Sequence, residues 1–325
     1  MTKMRRLRYR VAGAMLAAVA AAAAAQQDYP SRPVRVIVSW APGGAADLTA
    51  RVVAQTLAEQ LGQQLIVDNR GGASGAIGTE LAARSAPDGY TVLVGGVTEL
   101  VLNPQIVKLP YDAVRDFTVV SPLAFGYYAL VVHPSLPARS VKQLIALARS
   151  RPGEINYASG GSGSNLSLVA ELFKSTAGVN LTHIPYKGGG PAVLAVISGE
   201  SQVLFAGIAT VLQHVDSRRL AALAITGPKR SPLMPDVPTF AESGLKGMDV
   251  GLWFALLAPA ATPRAIVTRL GTEVSRLAAT PDYRAQLAKL GFETVTSTGA
   301  QFSTYMKTEI GRWGRVIKDA GVKPD

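Results

Sequence analysis

Cysteine is missing from all 325 residues, so the chain has no disulfide, no thiolate nucleophile, no Cys-based metal site and no Cys for a lipid anchor. Histidine is scarce. His133, His183 and His214 stand far apart, without H-E-x-x-H or another metal-ligand spacing, so packing is the simpler role for His133 and for His183 in "LTHIPY". No G-x-S-x-G surrounds Ser74, Ser159, Ser162 or Ser164, so the turn that exposes a hydrolase serine is absent. "GGASGAIG" and "GGSGSNL" supply neither G-x-G-x-x-G nor G-x-x-x-x-G-K-[ST], which removes the usual signatures of nucleotide cofactors. Aromatic residues make up only 6% of the chain and no basic stripe is interleaved with them, which leaves nucleic-acid binding without support. Heptads, repeats of fixed period and bilayer-length apolar runs are missing as well.

What is present begins with an export signal. Lys3, Arg5, Arg6, Arg8 and Arg10 precede an Ala-rich apolar run from Val11 to Ala25, a run shorter than the roughly 20 residues of a membrane-spanning helix. Cleavage is expected near Ala25, giving a soluble periplasmic protein that starts at Gln26. Arg5-Arg6 alone does not decide between the general and the twin-arginine routes. The signal takes five of the eleven net positive charges and no acidic residue with it, so the mature chain stands at +6. Its 300 residues, drawn from a chain that is 48% hydrophobic, exceed what one hydrophobic core normally organises, so two domains are expected.

Along the mature chain, short apolar strands alternate with helical segments. "VRVIVSW" leads to a helix with Leu48, Val52, Leu57 and Leu61 on its apolar face, closed by Gly62, then to "QLIVD", "TELAARSA" and "YTVLVGG". A second series runs from "YYALVVH" near Phe125 through "SVKQLIALARS", "INYAS", "LTHIPY", "PAVLAVISG", "VLFAG" and "LAALAIT". Strands separated by helices are the signature of βαβ units and a mostly parallel sheet. The Pro- and Gly-rich stretch from Gly227 to Gly247 reads as a long ordered connection, followed by the strand "LWFALLAP" and terminal helices that return to the first domain. The expected division is residues 26–124 plus 251–325 for domain 1 and 125–250 for domain 2, with hinge strands near 123–130 and 251–258.

Four glycine-rich loops sit after a strand and before a helix: Ala41 to Asp47, Gly71 to Gly75, Gly160 to Asn165 and Lys187 to Gly190. In an open α/β sheet such loops line the crevice beyond the strand ends. Helix N-termini there offer unpaired N–H groups and a partial positive charge, and glycine lets an anion approach the backbone closely. A small anion fits this arrangement better than a cofactor; no cofactor or metal is expected. Trp40 beside the first loop offers a flat wall to an apolar ligand body, with core packing the simpler role for Trp253. Tyr157 and Tyr186 are weaker candidates for walls. Lys187 is placed to draw an anion in, and Asp47 reads as a first-turn carboxylate or cap in the α-helical dipole.

Together and in order, "YPSRPVRVIVSWAPGGAADLTAR", "VDNRGGASGAIG", "APDGYTVLVG", "INYASGGSGSNLSLVAELF", "HIPYKGGGPAV", "KRSPLMPDVPTFAESG" and "WFALLAPAATP" resemble the Bug-type extracytoplasmic solute receptors, the substrate-binding proteins of tripartite tricarboxylate transporters. The resemblance covers essentially the whole mature chain. It implies a non-enzymatic α/β Venus flytrap of the periplasmic-binding-protein kind, two domains with mixed, mostly parallel sheets, and a small carboxylate held between them. It also implies membrane transporter subunits as partners; a monomer is the default. Carried over residue by residue, it puts Trp40, Gly43, Gly44, Ala45, Asp47, Ala73, Ser74 and Gly75 on the first side of the site. Ser159, Gly160, Gly163, Ser164, Asn165, Tyr186, Lys187 and Gly188 fall on the other. Many relatives have His where this chain has Ser167, and Asp where it has Ala206 or Gly207, which implies a less polar ligand than an amino acid, such as an aromatic or short aliphatic carboxylate. The alternatives are an exported hydrolase of small carboxylate esters and a ligand sensor that signals without transport.

Overall fold

A computed structural model describes residues 29–186 and 188–320. The expected signal and its cleavage point lie outside the described residues, as does Lys187. No described helix is long and apolar enough to cross a membrane.

The chain alternates as its apolar pattern requires: β1 (Val34–Val38), α1 (Ala45–Leu61), β2 (Leu65–Asn69), α2 (Ala76–Ala83) and β3 (Thr91–Gly96). β1 pairs in parallel with β2 and with β3. A wide π-type turn at Thr98–Leu102 runs into α3 (Asn103–Ile106), and then comes β4 (Phe117–Val132), a strand of 16 residues. The second series follows as α4 (Val141–Ser150), β5 (Asn156–Ser159), α5 (Asn165–Ala177), β6 (Thr182–Pro185), α6 (Gly189–Ile197), β7 (Val203–Gly207), α7 (Ile208–Asp216) and β8 (Ala221–Ile225). β9 (Gly251–Pro259), α8 (Arg264–Ala279), α9 (Pro281–Lys289) and α10 (Gly299–Ala320) complete it.

The strand order is β2-β1-β3-β9-β4-β7-β5-β6, with β8 also on β4. β4 therefore joins two half-sheets, its first part pairing with β9 and its second with β7 and β8, while β9 pairs only within the first half-sheet. Among the named strands, β1–β2, β1–β3, β5–β6 and β5–β7 pair in parallel, while the pairings of β4 and β9 are antiparallel. The mixture has a simple cause. β9 returns to the first half-sheet after the second series and runs against both β3 and β4 there, and the second part of β4 runs against β7 and β8.

β4 starts at Phe117, earlier than the hinge strand expected near Leu123. Pro122 lies within it, and the register against β9 shifts between Val119 and Ser121 and again between Pro122 and Ala124. A proline is tolerated at such irregularities because the ladder is already interrupted there. The segment "FETVTST" meets the sheet through Glu293, which exchanges N–H···O bonds of 2.9 and 2.7 Å with Phe125.

One core lies between the first half-sheet and α1, α8 and α9, around Val36, Leu57, Phe254, Leu270 and Tyr283. Another runs under both half-sheets, from Leu93 and Leu100 through Trp253, Phe302 and Trp313 to Phe173, Phe205 and Phe240. α10 spans the join, packing on β4 and on α5. Trp253 is fully buried, edge-on to Phe302 at 5.0 Å between ring centres.

Candidate functional site

The strand ends of the two halves face one cleft with two limbs. The inner limb, about 430 Å³, is bounded by Gly44–Ala46, Gly96–Glu99, Tyr128, Gly189, Gly190, Ala206, Gly207 and Phe254. The outer limb, about 760 Å³, runs past Ala73, Ser74, Ile77 and Lys108 on one side and Gly160–Ser164 and Gly188 on the other. Trp40, Thr98, Asn165, Leu166 and Gly189 border both limbs.

Three helices that meet the cleft start on a glycine rather than on a side-chain cap. α4 and α9 begin with Ser140 and Thr280, whose hydroxyls accept from Gln143 and Tyr283. α1, α6 and α7 begin with Gly44, Gly188 and Gly207, which provide no side-chain cap, and all three N-termini border the cleft. Their first-turn amides have no intrahelical acceptor by construction, so they are open to a ligand. α5 differs, because Ser164 Oγ accepts from Ser167 N at 3.2 Å and Asn165 Oδ1 from Leu166 N at 3.0 Å. Asn165 Nδ2 donates to the hydroxyl of Tyr128 at 3.1 Å, so this side chain buttresses the wall between the limbs. No Lys, Arg or His is among the described residues that line the inner limb.

Of the residues expected at the site, Trp40, Gly44, Ala45, Ala73, Ser74, Gly160, Gly163, Ser164, Asn165 and Gly188 border the cleft. Five do not. Gly43 donates its N–H to Asp47 Oδ2 at 2.8 Å, and neither residue is among those that line the two limbs; the carboxylate folds the loop. Gly75 is buried behind the turn with φ 90°, where a Cβ would stand 3.2 Å from that of Glu99. Ser159 is fully buried, its Oγ 2.6 Å from His183 Nε2 and 3.0 Å from Gly161 O. Tyr186 turns its hydroxyl to Ser201 at 3.3 Å. Lys187 lies outside the described residues.

The Ser159–His183 contact does not make a hydrolase, because the serine is sealed beneath the loop. His183 stacks on Tyr157 at 4.8 Å, and Tyr157 in turn gives its hydroxyl to Glu171 at 2.5 Å, so both rings belong to the packing. Ser167, also buried, donates to Ser164 O at 2.9 Å and stays out of the cleft, whereas Ala206 and Gly207 border the inner limb. Only the second of the two departures from the family pattern therefore touches the pocket.

The wide turn after β3 was not legible as part of the site, yet it brings Thr98 and Glu99 to the inner limb. Glu99 is buried; its Oε1 accepts from Gly96 N at 2.7 Å and its Oε2 from Trp40 Nε1 at 3.3 Å. Burial pushes its carboxyl above the ordinary range against the pull of those bonds. Asn103 holds the next loop, donating to Ser74 O at 2.7 Å. The signal that was there to find is "VTELVLNPQ", a polar pair inside an apolar run at the end of a strand.

Asp47 behaves in the opposite way. Burial works to raise its pKa, but hydrogen bonds from Arg51 and Gly43 and the Arg51 charge reverse this and hold it below the usual carboxylate value. A depressed pKa stabilises the fold above the unfolded value and the benefit is lost as pH falls through the folded value. Asp47→Ala is expected to cost about 1–3 kcal/mol near neutral pH by stripping Gly43 and Arg51 of their acceptor. The gap in melting temperature between variant and wild type should close below about pH 4. A gap that stays constant with pH would mean that packing, not charge, carries the effect.

Residues 49–322 match the family described as the tripartite tricarboxylate transporter family receptor. The chain is 37% identical over 319 residues to protein BugT of Bordetella pertussis, covering 96% of this chain and 97% of the relative. Among solved structures it is similar to Rpa4515 of R. palustris, solved with adipate, at 34% identity and a TM-score of 0.81, over 91% of this chain and all of that one. MatC from Rhodopseudomonas palustris, solved with bound malate, superposes with a TM-score of 0.77 at 31% identity, over 89% of this chain and all of that one. A glycine-capped cleft between two half-sheets, a two-domain binding-protein fold and these matches agree: the chain belongs to the Bug-type receptors of the tripartite tricarboxylate transporter family, which are solute-binding receptors and not enzymes.

Proposed function

We propose that this receptor is exported to the periplasm, captures a small carboxylate between its two domains by closure, and presents it to the membrane subunits of a tripartite tricarboxylate-type transporter. The observation that carries the reading is the set of uncapped glycine N-termini, α1 from one half and α6 and α7 from the other, around a limb without a described cationic side chain. Each such terminus favours an anion by about 0.3–1 kcal/mol, rising to about 2 kcal/mol in partly buried geometry. A ligand that touches both halves favours the closed form by its differential affinity.

The domains in this reading are residues 26–124 plus 251–325 and residues 125–250, with β4 and β9 as the hinge. The passage of β4 from one half-sheet to the other, and the return of the chain into the first through β9, support that division. The ligand class extends from the adipate and malate of the two relatives toward less polar carboxylates, because Ala206, Leu252 and Phe254 line the inner limb.

The test is a thermal-shift screen of the mature protein from residue 26 against adipate, malate, benzoate and their amides. A carboxylate at about 100 times its Kd adds about 2.7 kcal/mol of stability and should raise the melting temperature by several degrees. The amides should leave it unmoved. A screen in which amides shift the melt as much as acids would remove the anion site from the reading.

A further inference from the structure

We infer that Glu99 takes up a proton when the inner limb takes up an anion, so that the ligand carboxylate is held by a carboxyl–carboxylate hydrogen bond. The inference rests on the carboxylate reading above. It starts from a conflict of charge: Glu99 borders the same limb as the open amides of α1 and α6, and its Oε2 bonds the Trp40 indole that walls the limb. Two carboxylates sharing one buried space repel strongly at low local dielectric. A proton on one removes the repulsion and turns an acceptor into a donor.

The geometry also says which oxygen is free to change. Oε1 is held by Gly96 N–H at 2.7 Å, whereas Oε2 has only the longer contact from Trp40 Nε1 at 3.3 Å. Oε2 therefore carries the proton. It comes from solvent, and the only bond formed is O–H.

No described cation is set to neutralise Glu99 in its place. β3 and the turn at Ala73–Gly75 present no titratable group to it. Tyr111 gives its hydroxyl to the backbone carbonyl of Glu99 at 2.7 Å. On α1, Asp47 and Arg51 are paired with each other at 3.0 Å. On α10, packed against the outer side of the turn, Glu309 accepts from Trp313, and Arg312 donates to the carbonyls of Gly247 and Asp249. Glu80 and Lys108 border the outer limb. Burial with no opposing charge leaves the carboxyl of Glu99 already biased toward its neutral form.

The sign of the linkage follows. Since the protonated form binds, affinity is highest at low pH and falls by about tenfold per pH unit between the pKa of Glu99 in the free protein and its higher pKa in the complex. Titration calorimetry of the processed protein with adipate, malate and benzoate, from about pH 6 to about pH 8.5, stays above the titration of the probes themselves. At about pH 7.5 to about pH 8 each titration is run in HEPES and in Tris, whose ionisation heats differ and neither of which is a small inorganic anion that would fill the site. Wild type should weaken with rising pH and show a heat that depends on the buffer, reporting proton uptake. Glu99→Gln should bind with an affinity and a heat that depend on neither. Should the variant fail to fold, the two-buffer comparison on wild type decides alone. Binding by wild type with buffer-independent heat and flat pH dependence overturns the proton uptake and leaves the carboxylate site standing. No binding of any probe by either protein overturns the carboxylate reading, and this inference with it.

Discussion

Gly44→Val is expected to lower carboxylate affinity by about a hundredfold, near 2.7 kcal/mol, while the protein stays folded. Two facts combine here. Gly44 has φ −78° and ψ 169°, open to any residue, and a Cβ at this position would meet only Ala41 O at an ordinary 3.7 Å. The loop therefore accepts the substitution, with a fall in melting temperature no larger than a poor N-cap produces. The branched side chain, however, stands over the amides of Ala45 and Ala46. They are among the donors that remain, since Asp47 has already claimed the N–H of Gly43. Calorimetry with the tightest carboxylate of the screen, beside a melting curve, separates the two effects. Affinity within threefold of wild type would move the anion away from α1.

The second large effect is on stability. Trp253→Ala is expected to cost about 3–5 kcal/mol, the range for emptying a buried aromatic site, and to lower the melting temperature by on the order of 10 °C. Trp253 is fully buried, packs on Phe302, and lies in the core that runs under both half-sheets. Its neighbours are held by strands on one side and α10 on the other, so they have little room to collapse into the space. Trp253→Phe should cost much less, because it keeps a ring against Phe302 and removes an indole N–H that meets no acceptor among the described residues. Chemical denaturation of both variants checks the order. Equal losses would show that the indole N–H is bonded in solution.

Much of this was legible in the residues. Local periodicity marks β1, α1, β3 and α5, and the glycines before α1, α5 and α6 mark the crevice, because turn chemistry and helix starts are properties of short stretches. What escaped depends on distant partners. That Asp47 accepts from Gly43, and that Ser159 is sealed against His183, follows from side-chain directions that no spacing encodes. The wide turn holding Glu99 was missed because its five residues carry no helical period, and the first part of β4 because Pro122 hides a strand that continues through an irregularity.

The strand order has a consequence for how the chain comes together in time. β9, whose first residue is Gly251, lies between β3 and β4, so the centre of the first half-sheet is made by a segment that follows the whole second series. A chain interrupted anywhere before that residue lacks an inner strand, and β3 and β4 are left with bare edges. Until then the N-terminal third has no complete sheet to fold into. Contacts of such long sequence separation are slow to form, so the first half-sheet closes last, after β4 to β8 of the second series are already present to pair with one another.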